Sequence, residues 1–120
     1  MMTSLVSTIV ATCISGSSYT GSTQVTLDRS DDQFSYHMSA QAIKGPDGDG
    51  HEGVIADVTT SSMNAIHMED GMLYEFKGWE LEIFGVWSQP YDAELRGELR
   101  RLDQNGKAIS TTDLTCDFND

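Results

Sequence analysis

The fold is decided by one stretch in which apolar and polar residues alternate without a fault: Phe34-Ser35-Tyr36-His37-Met38-Ser39-Ala40-Gln41-Ala42. Successive side chains of a β-strand point to opposite faces, so this period of two predicts a strand with one apolar face. Phe34, Tyr36 and Met38 would lie on that face together with the two alanines and pack against a core. The opposite face would meet water.

The same period recurs along the chain and predicts about nine short strands. Besides residues 34–42, they cover residues 5–13, 23–29, 53–59, 63–68, 72–76, 79–87, 94–103 and 107–118. Two turn signals separate some of these runs. Asp70-Gly71 and Asn105-Gly106 each place two residues that tolerate positive φ between extended segments, and they therefore predict type I′ hairpins.

The hairpin around Asn105-Gly106 also predicts a register. With Gln104 opposite Lys107, three pairs share one face: Leu99 with Thr112, Gly97 with Leu114, and Leu95 with Cys116. Leu102 and Ile109 then pair on the other face near the tip.

The strand that precedes this turn has an alternative interpretation. Leu95, Leu99 and Leu102 also match helical spacing, although Gly97 and the turn that follows disfavour a helix. If the segment is a strand, its other side carries charges of alternating sign, which we interpret as a solvated ladder: Glu94, Arg96, Glu98 and Arg100.

The two cysteines, Cys13 and Cys116, lie near opposite ends of the chain. The period of two groups each thiol with apolar neighbours, so both point inward. If the first and last strands are neighbours, a disulfide between these cysteines closes a loop of about 100 residues. Such a bond indicates an oxidising compartment and hence a periplasmic or secreted protein. The alternative is two unpaired buried thiols in a cytosolic protein.

Together these patterns predict an all-β fold in which residues 1–120 form a single domain. Two architectures satisfy them: an antiparallel β-sandwich, or a small closed β-barrel of about 8–9 strands. In both, the strands form mostly a meander and the terminal strands are adjacent.

The charge of the chain excludes several classes of partner. Nineteen Asp and Glu residues against seven Lys and Arg give a net charge of −12. Phosphate backbones and anionic headgroups repel such a surface, so we expect no nucleic acid partner. Residues 1–27 carry no charge, but their twelve Ser and Thr residues argue against membrane insertion. A basic protein is the partner that the charge favours.

An acidic loop is the candidate metal site. Asp47, Asp49, His51 and Glu52 could supply several oxygen ligands and one imidazole to a cation such as calcium. The spacing begins like an EF-hand loop, but its sixth position is Glu52 and its twelfth is Val58, where that loop needs glycine and a bidentate carboxylate. The alternative is a glycine-rich hairpin loop with no bound ion, and therefore no cofactor.

The aromatic segment 79–87 is the candidate partner surface. Its period of two predicts that Trp79, Leu81, Ile83 and Trp87 face the core. Phe84 and Val86 then point the other way, and with Tyr91 they form a candidate recognition patch. A platform for sugar rings is the second alternative to a core role.

Catalytic residues are harder to find. Glu80 and Glu82 project from one side of a strand, roughly 7 Å apart, a separation that glycoside hydrolysis can use. No nearby residue is placed to separate their pKa values. His37 falls on the polar side of its strand, and His67 could bind a metal with Glu69 and Asp70, although such exposed neighbours are common without function. We therefore expect no enzymatic activity, and a hydrolase with acidic site residues is the last of three hypotheses.

The leading hypothesis is a non-enzymatic binding protein outside the cytoplasm, an inhibitor-like protein or adaptor that presents loops and an aromatic edge on a rigid β scaffold. The second hypothesis is a small barrel that carries an apolar ligand. Five residues would line its cavity: Tyr36, Met38, Met68, Met72 and Tyr74.

Overall fold

A computed structural model of the chain describes residues 7–17, 21–46, 52–90 and 92–119. Nine strands and one 3₁₀ turn contain most of these residues. The strands are β1 (Ser7–Ser17), β2 (Gly21–Ser30), β3 (Ser35–Ile43), β4 (Gly53–Ser61), β5 (Ala65–Met68), β6 (Gly71–Phe76), β7 (Trp79–Phe84), β8 (Leu95–Leu102) and β9 (Ala108–Phe118). The 3₁₀ turn, Ser62–Asn64, separates β4 from β5. In the described residues, no helix has the length and apolar character needed to cross a membrane.

All nine strands belong to one antiparallel sheet with the order β4-β3-β2-β1-β9-β8-β7-β6-β5. The sheet curls into a nearly closed barrel, which is one of the two predicted architectures. Strands that follow one another in the chain are neighbours, except β4 and β5, and the pairing of β1 with β9 joins the two halves of the meander. The predicted adjacency of the terminal strands is confirmed, because Cys13 lies directly opposite Cys116.

The barrel wall is interrupted where β4 gives way to β5. Every neighbouring pair in the sheet is antiparallel, so β4 and β5 run in the same direction, although they lie at opposite edges of the order. They occupy one position in the wall as two pieces: β4 pairs with β3, and β5 pairs with β6. The 3₁₀ turn between them is fixed by Ser62 N, which donates to the carbonyl of Phe34 at 2.9 Å. The barrel therefore has eight wall positions and one seam.

The core fills the space inside this wall. Its largest fully buried side chains include Tyr74, Leu27, Met38, Leu81 and Ile83. Inside the barrel, the Tyr74 ring of β6 contacts the Tyr36 ring of β3 edge-on, with the two ring centroids 5.1 Å apart. This aromatic pair packs together the strands on the two sides of the seam, which the hydrogen-bond ladder does not join.

The disulfide predicted between Cys13 and Cys116 is present and buried. It links β1 to β9 at the centre of a ladder that extends only from Ala11 to Ile14 on the β1 side. Gly97, on the adjacent strand β8, is needed beside it, because a Cβ at that position would lie 2.7 Å from the Cys116 sulfur.

The register predicted for β8 and β9 is confirmed: Leu95 pairs with Cys116, Gly97 with Leu114 and Leu99 with Thr112. The helix alternative for this segment is wrong. The tip differs from the prediction, because Leu102 pairs with Ala108 and a bulge leaves Ile109 exposed.

The prediction of type I′ geometry is wrong for both turns. The first loop consists of Glu69 and Asp70, since Met68 pairs with Gly71. In the second, Gly106 has positive φ but Asn105 does not. The Asp103 carboxylate accepts from the Asn105 and Lys107 amides at 2.8 and 2.9 Å, and this side-chain cap sets a different turn.

Several strand ends also depart from the simple alternation. Phe34 is 73% exposed in the turn before β3, and a bulge in β1 buries Val10 while it leaves Ile9 exposed. β7 ends at Phe84 because Gly85 turns the chain at φ 81°, so Trp87 is outside the strand and outside the core. β5 begins only at Ala65, since the Ser61 hydroxyl accepts from the Met63 amide and caps the 3₁₀ turn.

Replacing both cysteines with alanine should lower the free energy of unfolding. The disulfide joins residues 103 positions apart. The chain-entropy model values a loop near that length at about 4.7 kcal/mol before native strain is subtracted. Urea unfolding of the Cys13→Ala/Cys116→Ala variant, compared with the oxidised and the reduced wild type, measures the effect. A variant with the midpoint of the oxidised chain would contradict a stabilising role for this bond.

Gly97→Ala should destabilise the oxidised protein by about 1–3 kcal/mol, because the added methyl overpacks the sulfur of Cys116. The same change in the Cys13→Ala/Cys116→Ala background is the matched control and should cost less. Thermal unfolding of the four chains gives both costs. Equal costs in the two backgrounds would mean that the glycine does not make room for the disulfide.

Candidate functional site

Three of the four predicted metal ligands lie outside the described residues. They are Asp47, Asp49 and His51. Glu52 is described and is exposed just before β4. Within the described parts of the chain, no three His, Cys, Asp or Glu side chains form a group that could hold a metal ion. Calcium binding by the loop stays a prediction.

His37 lies on the outer face of β3, as the alternation predicts. Its Nε2 hydrogen-bonds the Asp57 carboxylate on β4, and its Nδ1 lies 3.9 Å from the Asp28 carboxylate on β2. These three side chains form a cross-strand polar cluster on a surface where the imidazole is 41% exposed. The arrangement holds three strands together from outside.

Glu80 and Glu82 do project from one side of β7, but they are not a free carboxylate pair. The Arg100 guanidinium donates from Nε to Glu80 at 2.6 Å, and from its two terminal nitrogens to Glu82 and Glu98 at 2.7 Å each. Burial disfavours the Arg100 cation, but the hydrogen bonds that it donates to Glu82 and Glu80 outweigh this effect and raise the pKa of Arg100 above its usual value.

This network corrects the expectation of a solvated ladder. The side chains of Arg100 and Glu98 are only 15% and 17% exposed. Arg96 extends the network by donating to the second oxygen of Glu98 at 2.5 Å. The cluster on β7 and β8 is therefore a partly buried structural network whose carboxylates are held by arginine, and it supplies no acid and base with separate roles.

The predicted partner patch is only partly accessible. Phe84 is half-buried under the Arg96 guanidinium, whose carbon lies 4.9 Å from the ring centroid. Val86 packs against the core, and Tyr91 lies outside the described residues. Phe84 lines a surface groove together with Asp70, Glu94 and Arg96, so its contribution to partner binding stays a prediction.

Trp87, which the alternation assigns to the core, is instead 51% exposed and firmly held. Its indole Nε1 donates to the carbonyls of Met68 and Gly71, at 3.2 Å each. One face of the indole is stacked on the His67 imidazole, with centroids 5.3 Å apart and planes 12° apart. The residue in the sequence that could have indicated this exposure is Gly85. It ends β7, although the alternation of apolar residues continues as far as Trp87.

Asp70 fixes the loop that presents Trp87. Its carboxylate accepts from the Trp87 amide at 3.3 Å and from the Ser88 hydroxyl at 2.7 Å. Its main-chain carbonyl accepts from the Gly85 amide at 2.7 Å. The loop after β7 is thus attached to the turn between β5 and β6, and the position of the indole is preorganised.

Trp87 belongs to a series of exposed apolar side chains, which we call the apolar rim. The series runs from the turn before β3 through the 3₁₀ turn and β5 to the loop after β7. The hydrogen bonds from Ser62 N to the Phe34 carbonyl and from Trp87 Nε1 to the Met68 carbonyl connect these segments. Its members are Phe34, Met63, Ile66, Met68 and Trp87, of which Met63 is 87% exposed. Ile66 and Met68 point to one face of β5, and His67, on which Trp87 stacks, points to the other, so the rim lies on both sides of this edge strand. Exposed apolar side chains gathered at one end of a fold are a feature of interaction surfaces.

The apolar rim lies at the end of the barrel toward which β2, β4, β5, β7 and β9 run. We call this the acidic end. Its connections, residues 31–34, 61–64, 69–70 and 85–94, contain no Lys or Arg and six acidic residues: Asp31, Asp32, Glu69, Asp70, Asp92 and Glu94. Connections at the other end contain three basic residues, Lys44, Lys77 and Lys107, besides four acidic ones, Asp47, Asp49, Glu52 and Asp103. The negative charge is therefore concentrated beside the rim.

One carboxylate of the acidic end is stabilised in its charged form. The Ser30 hydroxyl donates to the Asp32 carboxylate at 2.6 Å, and the Phe34 amide donates to it at 3.0 Å. These two hydrogen bonds, the first above all, hold the pKa of Asp32 below its usual value. Asp32 thus keeps its negative charge into more acidic solution than a free aspartate does.

The side chains of the carrier hypothesis do not all face the interior. Tyr36, Met38, Met72 and Tyr74 are buried inside the barrel, whereas Met68 belongs to the apolar rim. The Tyr36–Tyr74 ring contact occupies interior space that a ligand would need.

Arg100→Met should destabilise the fold by about 2–3 kcal/mol, less than the ~3–5 kcal/mol for breaking a fully buried ion pair, because the network retains partial contact with water. The loss leaves three neighbouring carboxylates without their shared cation. Arg101→Met, a change at the exposed neighbouring position, is the control and should cost little. Urea unfolding measures both. Equal effects of the two substitutions would argue against the network.

The chain was also compared with known proteins. No protein-family model, no curated protein and no solved structure gives a significant match. Function therefore has to be argued from the geometry and charge of this barrel.

Proposed function

We propose that the protein is a non-enzymatic binding protein that recognises a basic protein partner through its acidic end. The single observation that carries the proposal is the combination of the apolar rim with six acidic residues and no basic residue in the same connections. Apolar side chains supply the area that becomes buried on association, and the surrounding carboxylates select the charge of the partner.

Two features support recognition by a preformed surface. The loop after β7 is attached to the β5–β6 turn through Asp70, and the 3₁₀ turn is attached to Phe34 through Ser62. Rigid loops lose little conformational freedom when they bind, which favours affinity. The net charge of −12 adds long-range attraction toward a basic partner and raises the association rate at low ionic strength.

A disulfide of this kind is compatible with an oxidising compartment. We accordingly place the protein in the periplasm or outside the cell, where its partner would be a basic extracytoplasmic protein. An inhibitor of a basic enzyme and an adaptor between two proteins are both consistent with this form of recognition.

Binding to a panel of basic secreted proteins, with acidic proteins of similar size as controls, tests the proposal. We expect the chain to bind at least one basic protein at 50 mM NaCl, roughly, and to lose affinity as salt rises, because exposed charges are screened. The acidic-end variant Asp31→Lys/Glu69→Lys/Asp92→Lys should bind at least tenfold more weakly, since its three substitutions reverse charges on exposed turns.

The variant Glu52→Lys/Asp113→Lys/Asp117→Lys is the matched control, because it makes the same number of charge reversals outside the acidic-end connections. It should retain the affinity of the wild type, apart from a small decrease that the lower net negative charge causes for every basic protein. Absence of binding to every basic protein would refute the proposal. An equal loss in both variants would reduce the interaction to non-specific attraction.

A further inference from the structure

We infer that Trp87 is the anchor of the acidic end and that it takes an arginine side chain of the partner, stacked on its indole. The inference rests on the proposed function and names the chemistry of the segment that is recognised. That segment carries arginine next to an apolar residue, which matches an aromatic ring beside an apolar rim.

The indole is presented as a platform and not as a loose side chain. Its N–H edge is fixed to the carbonyls of Met68 and Gly71, and one face is covered by the His67 imidazole. Because half of the side chain is still exposed, the opposite face is open to solvent. A tryptophan held in this way keeps its flat surface available without first having to give up rotamer freedom.

The charges around the indole select a cation. Asp70 is attached to the Trp87 main chain, Glu69 precedes it in the same turn, and no Lys or Arg occurs in the four connections of this end. A guanidinium stacks on the face of tryptophan more favourably than on other rings, and it can donate to a carboxylate at the same time. A neutral sugar would use the ring but would gain little from the negative potential.

The apolar rim extends this site along β5. Ile66 and Met68 are exposed on the face of β5 opposite to His67, and Met63 lies beyond them on the 3₁₀ turn. Because β5 is the last strand of the sheet order, its free edge connects the two faces. An apolar residue next to the arginine therefore has a surface to cover, while Trp87 and the carboxylates hold the cation. Tryptophan and arginine are both enriched among binding hot spots, which tend to pair across an interface.

The test uses a dye-labelled peptide with the sequence Gly-Arg-Leu-Arg-Gly and its citrulline analogue, in which the charge is removed and the shape is kept. Fluorescence anisotropy with the full chain should show at least tenfold tighter binding of the arginine peptide. Trp87→Leu should lose at least tenfold of that affinity, and Trp87→Phe should lose less, because it keeps an aromatic face. Ile109→Ala, at an exposed site outside the rim, should change nothing.

Glu69→Gln should weaken the arginine peptide about threefold, whereas Glu52→Gln, which removes the same charge at the other end, should not. Wild-type affinity in Trp87→Leu would overturn the anchor. If the acidic-end charge reversals still abolish partner binding in that case, the proposed function stands without this anchor. If neither the charge-reversal variants nor the Trp87 variants lose binding, both proposals are refuted.

Two further measurements keep the test decisive. Cellohexaose serves as an uncharged sugar probe, and Trp87-dependent binding of it without any preference for the arginine peptide would overturn the inference. If Trp87→Leu does not fold, the intrinsic fluorescence of the unmodified chain replaces it, since Trp79 is half-buried and Trp87 is exposed. The arginine peptide should change the emission and the citrulline peptide should not; equal responses would contradict the inference.

Discussion

The join between β1 and β9 is the constraint on which the rest of this structure depends. Seven of the eight strand pairings in the sheet join strands that follow one another in the chain, and only the β1–β9 pairing brings distant segments together. Its ladder is brief, and the Cys13–Cys116 bond lies within it. Gly97 leaves the volume that the sulfur needs, so three strands contribute to a single covalent closure. Without that closure, the chain would be two open meanders with free edges.

Much of this arrangement could be predicted from the sequence because period-two patterning reports directly on which face of a strand is buried. The terminal cysteines share inward faces with apolar neighbours, and the register of β8 with β9 follows from the position of one turn. The curvature that makes a barrel and not a sandwich leaves no such mark, since both architectures bury the same alternating residues.

The errors have a common cause, which is local backbone chemistry that interrupts the alternation. Asp103 caps its turn through a carboxylate, Gly85 ends β7 early, and Ser61 caps a 3₁₀ turn inside a predicted strand. Near each of these events an apolar residue is left exposed, namely Ile109, Trp87 and Met63. The candidate site was missed for the same reason, because Phe34, Met63 and Trp87 lie just beyond strand ends. Arg100 illustrates the converse: a residue assigned to water organises three carboxylates.

The seam between β4 and β5 lies on the far side of the barrel from the disulfide, with four strands counted in one direction and five in the other. Residues 7–61 and 65–118 each form a continuous meander on one side of the molecule. The two meanders are thus joined by a disulfide on one side of the barrel and meet on the other side, at the seam, through the packed rings of Tyr36 and Tyr74. We expect local opening to begin at the seam, where no ladder has to break, and the disulfide to keep the two halves close enough to pack together again.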